Sequence, residues 1–166
     1  VSAVTVGGEA CTKLSSVSNG GAIAVDLGGK ATSLTGAQTI VVTASLSNAS
    51  SNSLAFTGRA VASIFGTVAT NTGAGASIAV TVTAVSGDDL ACITGDDSGY
   101  SGTTLTNGTV RWDVAPFYGT SLGSANNVSG NTTLTSNWTG TSNKAMIGVA
   151  IKPAAAGDTL FGQGIM

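Results

Sequence analysis

Residues 77–93 read SIAVTVTAVSGDDLACI, and this stretch decides the fold class. Its first half alternates apolar with mostly hydroxyl-bearing side chains, so that one face of a strand would carry Ile78, Val80, Val82 and Ala84. A period of two residues is typical of a half-buried β-strand. The turn at 86–89, which reads Ser-Gly-Asp-Asp, then leads into a second short strand.

The same unit recurs along the chain, with about ten predicted strands separated by turns. Strands are predicted at 38–46 (with Ile40, Val42, Ala44 and Leu46 on one face), 77–84, 103–114, 131–138 and 144–152, and loops at 66–76 and 95–102. No segment shows a convincing helical period. The sequence therefore predicts an all-β protein, specifically an antiparallel β-sandwich or jelly roll.

The composition indicates one folded domain with an unusually uncharged surface. The chain has 166 residues, of which 8% are charged, against about 25% in typical globular proteins. Many β-branched residues and a low net charge exclude disorder. There is no apolar run of about 18 residues, so no membrane span is expected. We expect a sandwich domain over 1–153 and a C-terminal tail or extended arm over 154–166.

The charge balance argues against nucleic-acid binding. The formal net charge is −2, and the six basic residues are scattered without forming a patch. Phosphate recognition needs clustered Lys and Arg side chains. A nearly uncharged surface also repels identical copies only weakly, which favours packing beside other copies.

The sequence contains no recognisable catalytic set. It has no histidine, which removes the usual triads and the commonest general base. Among the acids, only Asp113 is predicted on a strand beside an aromatic residue, Trp112. A glycosidase needs two carboxylates across a cleft. We therefore expect no enzymatic activity and no cofactor.

Two acidic pairs are weak candidates for calcium binding. Asp88 and Asp89 lie at one end of a predicted strand, and Asp96 and Asp97 lie at the other. Calcium favours clustered carboxylates in loops, but one strand length separates the pairs. Aspartate also forms turns by bonding to its own backbone, and this is the default interpretation.

Aromatic residues in predicted loops raise the alternative of glycan binding. Tyr100, Phe117 and Tyr118 lie in such loops and are the candidates for a sugar-stacking surface. Trp112 and Trp138 alternate with polar residues and are predicted to belong to the core.

The two cysteines, Cys11 and Cys92, each lie in an apolar strand segment. Buried thiols that act as small apolar side chains are the first interpretation, and a disulfide in an oxidising compartment is the alternative. Metal binding is not expected, because the chain has no histidine and no Cys-x-x-Cys motif.

The C-terminal tail is more apolar than a solvated terminus normally is. Its candidate contact residues are Leu160, Phe161, Ile165 and Met166. Two interpretations stay open: the tail folds back on its own domain, or it is an arm that docks on a neighbouring copy.

Four segments together resemble a known family: VTVGGEACTKL at 4–14, TIVVT at 39–43, RWDV at 111–114 and IGVAIKPA at 147–154. They are similar to a low-charge, jelly-roll-like β-sandwich domain of tailed-phage virion proteins and of surface proteins of environmental bacteria. Cys11 and Ile151 stand where that family usually has leucine. The resemblance implies a β-sandwich without catalytic residues, and the tail after Ala154 lies outside it.

The residues and the resemblance together lead us to expect a structural protein located in a virion. The first hypothesis is a capsid decoration or surface protein of a tailed phage, whose partners are other copies of itself and other virion or surface proteins. Closed symmetric oligomers would suit this role. The alternatives are a secreted carbohydrate-binding or adhesin module and an extracellular filament subunit, either of them at the cell surface or outside the cell.

Overall fold

The computed structural model describes residues 2–20, 23–31, 37–43, 56, 63–99, 103–114 and 120–154. The described chain is all-β and antiparallel, as expected, and within it no helix is long and apolar enough to cross a membrane. Its strands are β1 (Ala3–Val6), β2 (Glu9–Ala10), β3 (Thr12–Asn19), β4 (Ile23–Gly29), β5 (Ile40–Thr43), β6 (Phe65–Val82), β7 (Asp89–Asp96), β8 (Thr104–Thr106), β9 (Thr109–Val114), β10 (Thr120–Ala125) and β11 (Thr132–Ile151).

The strands form one large sheet and two small ones. The large sheet has six strands in the order β6-β11-β7-β10-β9, and β8 pairs with β11 off this path. A three-stranded sheet has the order β2-β1-β5, and β3 pairs with β4 in a two-stranded sheet. The long strand β11 is central, because it pairs with β6, β7 and β8.

The ribbon formed by β6 and β11 folds back over itself. The register between the two strands shifts between Asn137 and Ser142 on β11, which pair with Ser77 and Gly75 on β6. The Asn71 side-chain amide donates a hydrogen bond of 2.8 Å to the Ala79 carbonyl, eight residues along β6. An extended strand would separate these residues by about 26 Å, so β6 must turn sharply between them.

Folding the ribbon brings its two halves together around the main core. A Cβ atom at Gly148 would lie 2.7 Å from Val82 Cγ2 and 2.9 Å from Val80 Cγ2. The second half of β6, which carries both valines, therefore lies directly on β11 at this point. The members of this inner core are Ile78, Val80, Val82, Ala84, Leu90, Cys92, Leu134, Met146 and Ala150. The apolar face predicted from the period of two residues is therefore confirmed as buried.

The hairpin of β3 and β4 covers the opposite face of the large sheet. Val25 packs with Ala145 and Ile147 of β11 in a second core cluster. The Asn19 side-chain amide bonds to the Gly73 carbonyl at 2.8 Å and ties the hairpin to β6. The second half of β11 is thus buried on both faces. Because neither face is exposed to solvent, its sequence is a continuous apolar run without polar alternation.

The three-stranded sheet of β1, β2 and β5 is poorly covered. β1 and β2 form a hairpin, and its turn residues Gly7 and Gly8 adopt the positive φ, 56° and 82°, that a tight hairpin turn requires. Ile40 and Val41 on β5 are 41% and 52% exposed. No core cluster of the described residues includes a member of this sheet.

Four predicted boundaries were wrong. The segment 66–76, predicted to be a loop, belongs to β6, because the neighbouring strand β11 satisfies its backbone despite its glycines. Gly95 and Asp96 end β7 and are not part of a loop. The predicted strands at 131–138 and 144–152 are parts of the single strand β11. The predicted strand at 103–114 is interrupted at Asn107, whose φ of 62° marks a turn between β8 and β9.

Candidate functional site

A group of buried polar side chains lies where β11 bends. We name it the corner cluster and define it as Asp96, Ser136, Trp138, Ser142 and Lys144. Alternation along β11 places its four β11 members on the same side as Leu134 and Met146 of the inner core. Asp96 ends β7 directly opposite Lys144. Strand pairing and the bend therefore bring polar groups from two distant segments into the interior.

Lys144 is the central charge of the corner cluster and has 0% of its surface exposed. Its Nζ donates a hydrogen bond to Ser142 Oγ and lies 5.4 Å from the centroid of the Trp138 ring. Burial lowers the pKa of Lys144, while the negative charges of Asp96 and Asp97 oppose that shift. The ammonium group is thus stabilised by one hydroxyl, one aromatic face and two carboxylates at longer range.

Asp96 is also fully buried, and only half of its carboxylate is hydrogen-bonded. Its Oδ1 accepts bonds of 2.8 Å from the Ser98 amide and 3.0 Å from the Gly99 amide, which fix the turn after β7. Its Oδ2 has no hydrogen-bond partner among the described residues. Asp96 was predicted to lie in a flexible loop, as a turn former or as a weak calcium candidate. The structure places it at the buried end of β7, and its Oδ1 bonds agree with the turn-forming interpretation.

Asp97 ties the end of β7 to β11. Its carboxylate accepts bonds from the Asn143 backbone amide at 3.0 Å and from the Asn143 side-chain amide at 2.7 Å. The hydrogen bond from the Asn143 side chain is the main cause that lowers the pKa of Asp97. Its side chain therefore acts as a clamp between two strands.

The other acidic pair shapes the turn before β7. Asp88 Oδ2 accepts a bond of 3.0 Å from the Val85 amide, and Asp89 Oδ1 accepts one of 2.8 Å from the Asn127 amide. The two pairs lie at opposite ends of β7, about 23 Å apart for an extended strand. No group of three or more His, Cys, Asp or Glu side chains suited to a metal ion occurs in the described part of the chain.

Asp113 holds a loop as well. Its two carboxylate oxygens accept bonds from the Thr103 amide at 2.9 Å and the Thr103 hydroxyl at 3.1 Å. Its neighbour Trp112 is half-buried, whereas Trp138 is buried as predicted. The three residues proposed for glycan contact, Tyr100, Phe117 and Tyr118, lie outside the described residues, as do the arm residues Leu160, Phe161, Ile165 and Met166.

Both cysteines are free thiols in the structure. Cys92 belongs to the inner core, and burial raises its pKa to about 12. It is therefore a neutral, apolar side chain at physiological pH, as the first interpretation expected. Cys11 is only half-buried, which that interpretation did not predict.

The outer side of β6 is a long strand edge without charge. The strand spans 18 residues, and its sequence contains no Asp, Glu, Lys or Arg. It pairs with β11 on one side, and no other described strand pairs with it. Sequence reasoning missed this edge, because it assigned the glycine-rich half of β6 to a loop.

Comparison with known proteins gives no match: neither a protein-family model, nor a curated protein, nor a solved structure matches this chain.

Proposed function

We infer that this chain is a structural protein that assembles side by side with other copies of itself through strand edges. The observation that carries this proposal is the uncharged edge of β6, with which no further described strand pairs. Near the bend, the Asn19 and Asn71 side chains bond to the Gly73 and Ala79 carbonyls of this strand. An unpaired edge offers a row of backbone donors and acceptors to a further strand.

The sequence of β6 makes this edge a better template for pairing than most natural edges. Soluble proteins usually protect an edge strand with lysine, proline or a very short length. β6 has neither lysine nor proline over 18 residues. Several of its side chains are small and exposed, among them Thr70, Thr72 and Ala74, so that a neighbouring strand could approach closely.

The finer proposal is that the assembly is part of a virus particle, as a decoration or other surface protein of a tailed phage. Its support is the sequence resemblance described above, together with the low-charge antiparallel sandwich. The proposed partners are other copies of this chain and other virion proteins, and the proposed role is non-enzymatic. Electron microscopy of particles from the native source, labelled with an antibody against this chain, tests the location.

The assembly is tested by measuring the mass of the full chain in solution over a range of concentrations. We expect masses that are multiples of the 16.0 kDa chain. The variant Thr72→Lys places a charge on the exposed edge strand and should shift the protein towards the monomer. The matched control is Thr133→Lys, which adds the same charge at an exposed position of β11 that pairs with Thr81 of β6 and whose carbonyl accepts a bond from the Asn107 side chain. This control also removes the bond between the Thr133 and Thr81 hydroxyls, so any effect of that loss is measured with it.

A monomer at all concentrations, or equal loss of assembly in both variants, would contradict assembly through β6. A glycan array tests the alternative of a carbohydrate-binding module on the same sample. Specific sugar binding by a monomer would favour that alternative over the structural role.

A further inference from the structure

The interior of the bend carries a binding site that the proposed function does not use. We propose that the corner cluster holds ordered water, and that this water joins the Lys144 ammonium group to the Asp96 carboxylate as a bridged ion pair. The inference is independent of assembly, because it concerns the interior of a single chain.

Three buried polar atoms of the cluster lack a hydrogen-bond partner among the described residues: Asp96 Oδ2, Ser136 Oγ and Trp138 Nε1. The three side chains that carry them are at least nine-tenths buried. Native proteins satisfy almost all such groups, either with protein partners or with internal water. Three orphans in one region therefore point to a shared partner.

The fold brings these groups to one place. Trp138 stacks over Lys144 Nζ at 5.4 Å, and Ser136 lies two residues before Trp138 on the same face of β11. Asp96 lies directly across from Lys144 on β7. The site therefore lies between the first half of β11, which carries Trp138, and the second half of β11 together with β7, which carry Lys144 and Asp96.

Lys144 and Asp96 do not form a direct ion pair. No nitrogen–oxygen distance between them is 4.0 Å or less, and Lys144 Nζ donates its hydrogen bond to Ser142 Oγ instead. An ammonium group has three donors, so Lys144 has hydrogens left to donate. A bridging molecule that accepts from Lys144 and donates to Asp96 would satisfy both.

The charges of the site select water over an ion. An anion attracted to Lys144 would face the Asp96 carboxylate, and a cation attracted to Asp96 would face the Lys144 ammonium group. A neutral molecule that both donates and accepts avoids both repulsions, and it can also accept from the Trp138 indole and bond to the Ser136 hydroxyl. Water is the smallest molecule with this capacity.

A crystal structure of the full chain tests the site directly. We expect electron density within about 2.7–3.2 Å of Asp96 Oδ2 and at least one other orphan atom. Density with an anomalous signal or with metal-like distances would overturn the proposal in favour of an ion. A direct Lys144–Asp96 contact without such density would also overturn it. So would a mass of the intact chain, measured by mass spectrometry, that is one water below the sequence mass, because this would indicate an amide bond between the two side chains.

Solution NMR gives a second test that does not depend on a variant folding. The chain has two tryptophans, so its two indole N–H signals can be assigned from triple-resonance spectra of the isotope-labelled unmodified chain. We expect the Trp138 indole hydrogen to show a cross-peak to long-lived water, whereas half-buried Trp112 serves as the internal control. Absence of that cross-peak, when the indole hydrogen itself is protected from exchange, would contradict a water at this site.

Discussion

At the scale of single residues, the fold depends on positions where two layers touch without room for a side chain. Gly148 is the clearest of them, because valines from the folded-back half of β6 occupy the space where a Cβ would lie. A glycine in a strand normally weakens it. Here its absence of a side chain allows the inner core to close.

We predict that Gly148→Ala lowers the free energy of unfolding by about 1–3 kcal/mol, since overpacking forces neighbouring side chains or the backbone to move. The control is Gly73→Ala on β6, where an added Cβ meets no atom within 4 Å. Urea unfolding monitored by tryptophan fluorescence measures both variants. Equal losses in the two variants would show that contact with Val80 and Val82 is not the cause.

Asp26 on β4 gives a prediction about acid stability. Burial alone would raise its pKa, but the ion pair with the Lys13 ammonium, at 2.7 Å, and a hydrogen bond from Ser16 are among the interactions that outweigh burial and lower the pKa from 3.8 to about 2. A carboxylate whose pKa is lower in the folded state stabilises the protein above the unfolded-state pKa. This contribution is lost as the pH falls from about 4 towards 2.

We therefore predict that Asp26→Asn costs about 1 kcal/mol of unfolding free energy at neutral pH, because solvent screens an ion pair whose lysine is half-exposed, and much less near pH 2. Denaturant unfolding at a series of pH values measures this difference. Lys13→Met should reproduce part of the loss at neutral pH. A cost for Asp26→Asn that does not change with pH would contradict the assigned role of the charge.

At the scale of elements, the period of two residues predicted those strands that have one apolar and one polar face. It succeeded for the second half of β6, where Ile78, Val80 and Val82 are buried. It failed for the first half, because that part is rich in Gly, Thr and Asn, and its strand conformation depends on pairing with β11. Such pairing is a tertiary effect, which a local pattern does not contain.

The corner cluster could not be predicted from the sequence for a similar reason. Asp96 is followed by Asp97, Ser98 and Gly99, a composition that usually indicates a solvated loop. Its burial depends on the register with Lys144, 48 positions away, and on the bend that places Trp138 above both. The calcium hypothesis for Asp96 and Asp97 used composition alone and lacked this information.

The sheet of β1, β2 and β5 should be the least stable element of the described fold. It contributes no residue to the core clusters, and two of its apolar side chains are exposed. Local opening requires little free energy where few apolar contacts are lost.

We predict that the amides of Ala3–Val6 and Ile40–Thr43 exchange with deuterium at least tenfold faster than those of Ser142–Ile151. Exchange measured by mass spectrometry on peptic fragments checks this, and equal protection in both regions would contradict it.

At the scale of the whole molecule, the described chain forms three layers. The folded-back halves of β6 and β11 form two of them, and the hairpin of β3 and β4 forms the third. This arrangement buries the second half of β11 on both faces and leaves the outer edge of β6 as the longest strand edge in the described fold. The proposed assembly uses that edge, and the proposed water lies in the bend.

The central position of β11 also has a consequence for how the molecule is made. Its partners on β6 and β7 are encoded about 50 to 90 positions upstream of it, so the pairings of this central strand with β6 and β7 join remote parts of the polypeptide. Chains dominated by such remote pairings fold slowly. During translation, β6 and β7 are synthesised before β11, and a chaperone that shields their apolar surfaces until β11 is complete should raise the yield of native protein.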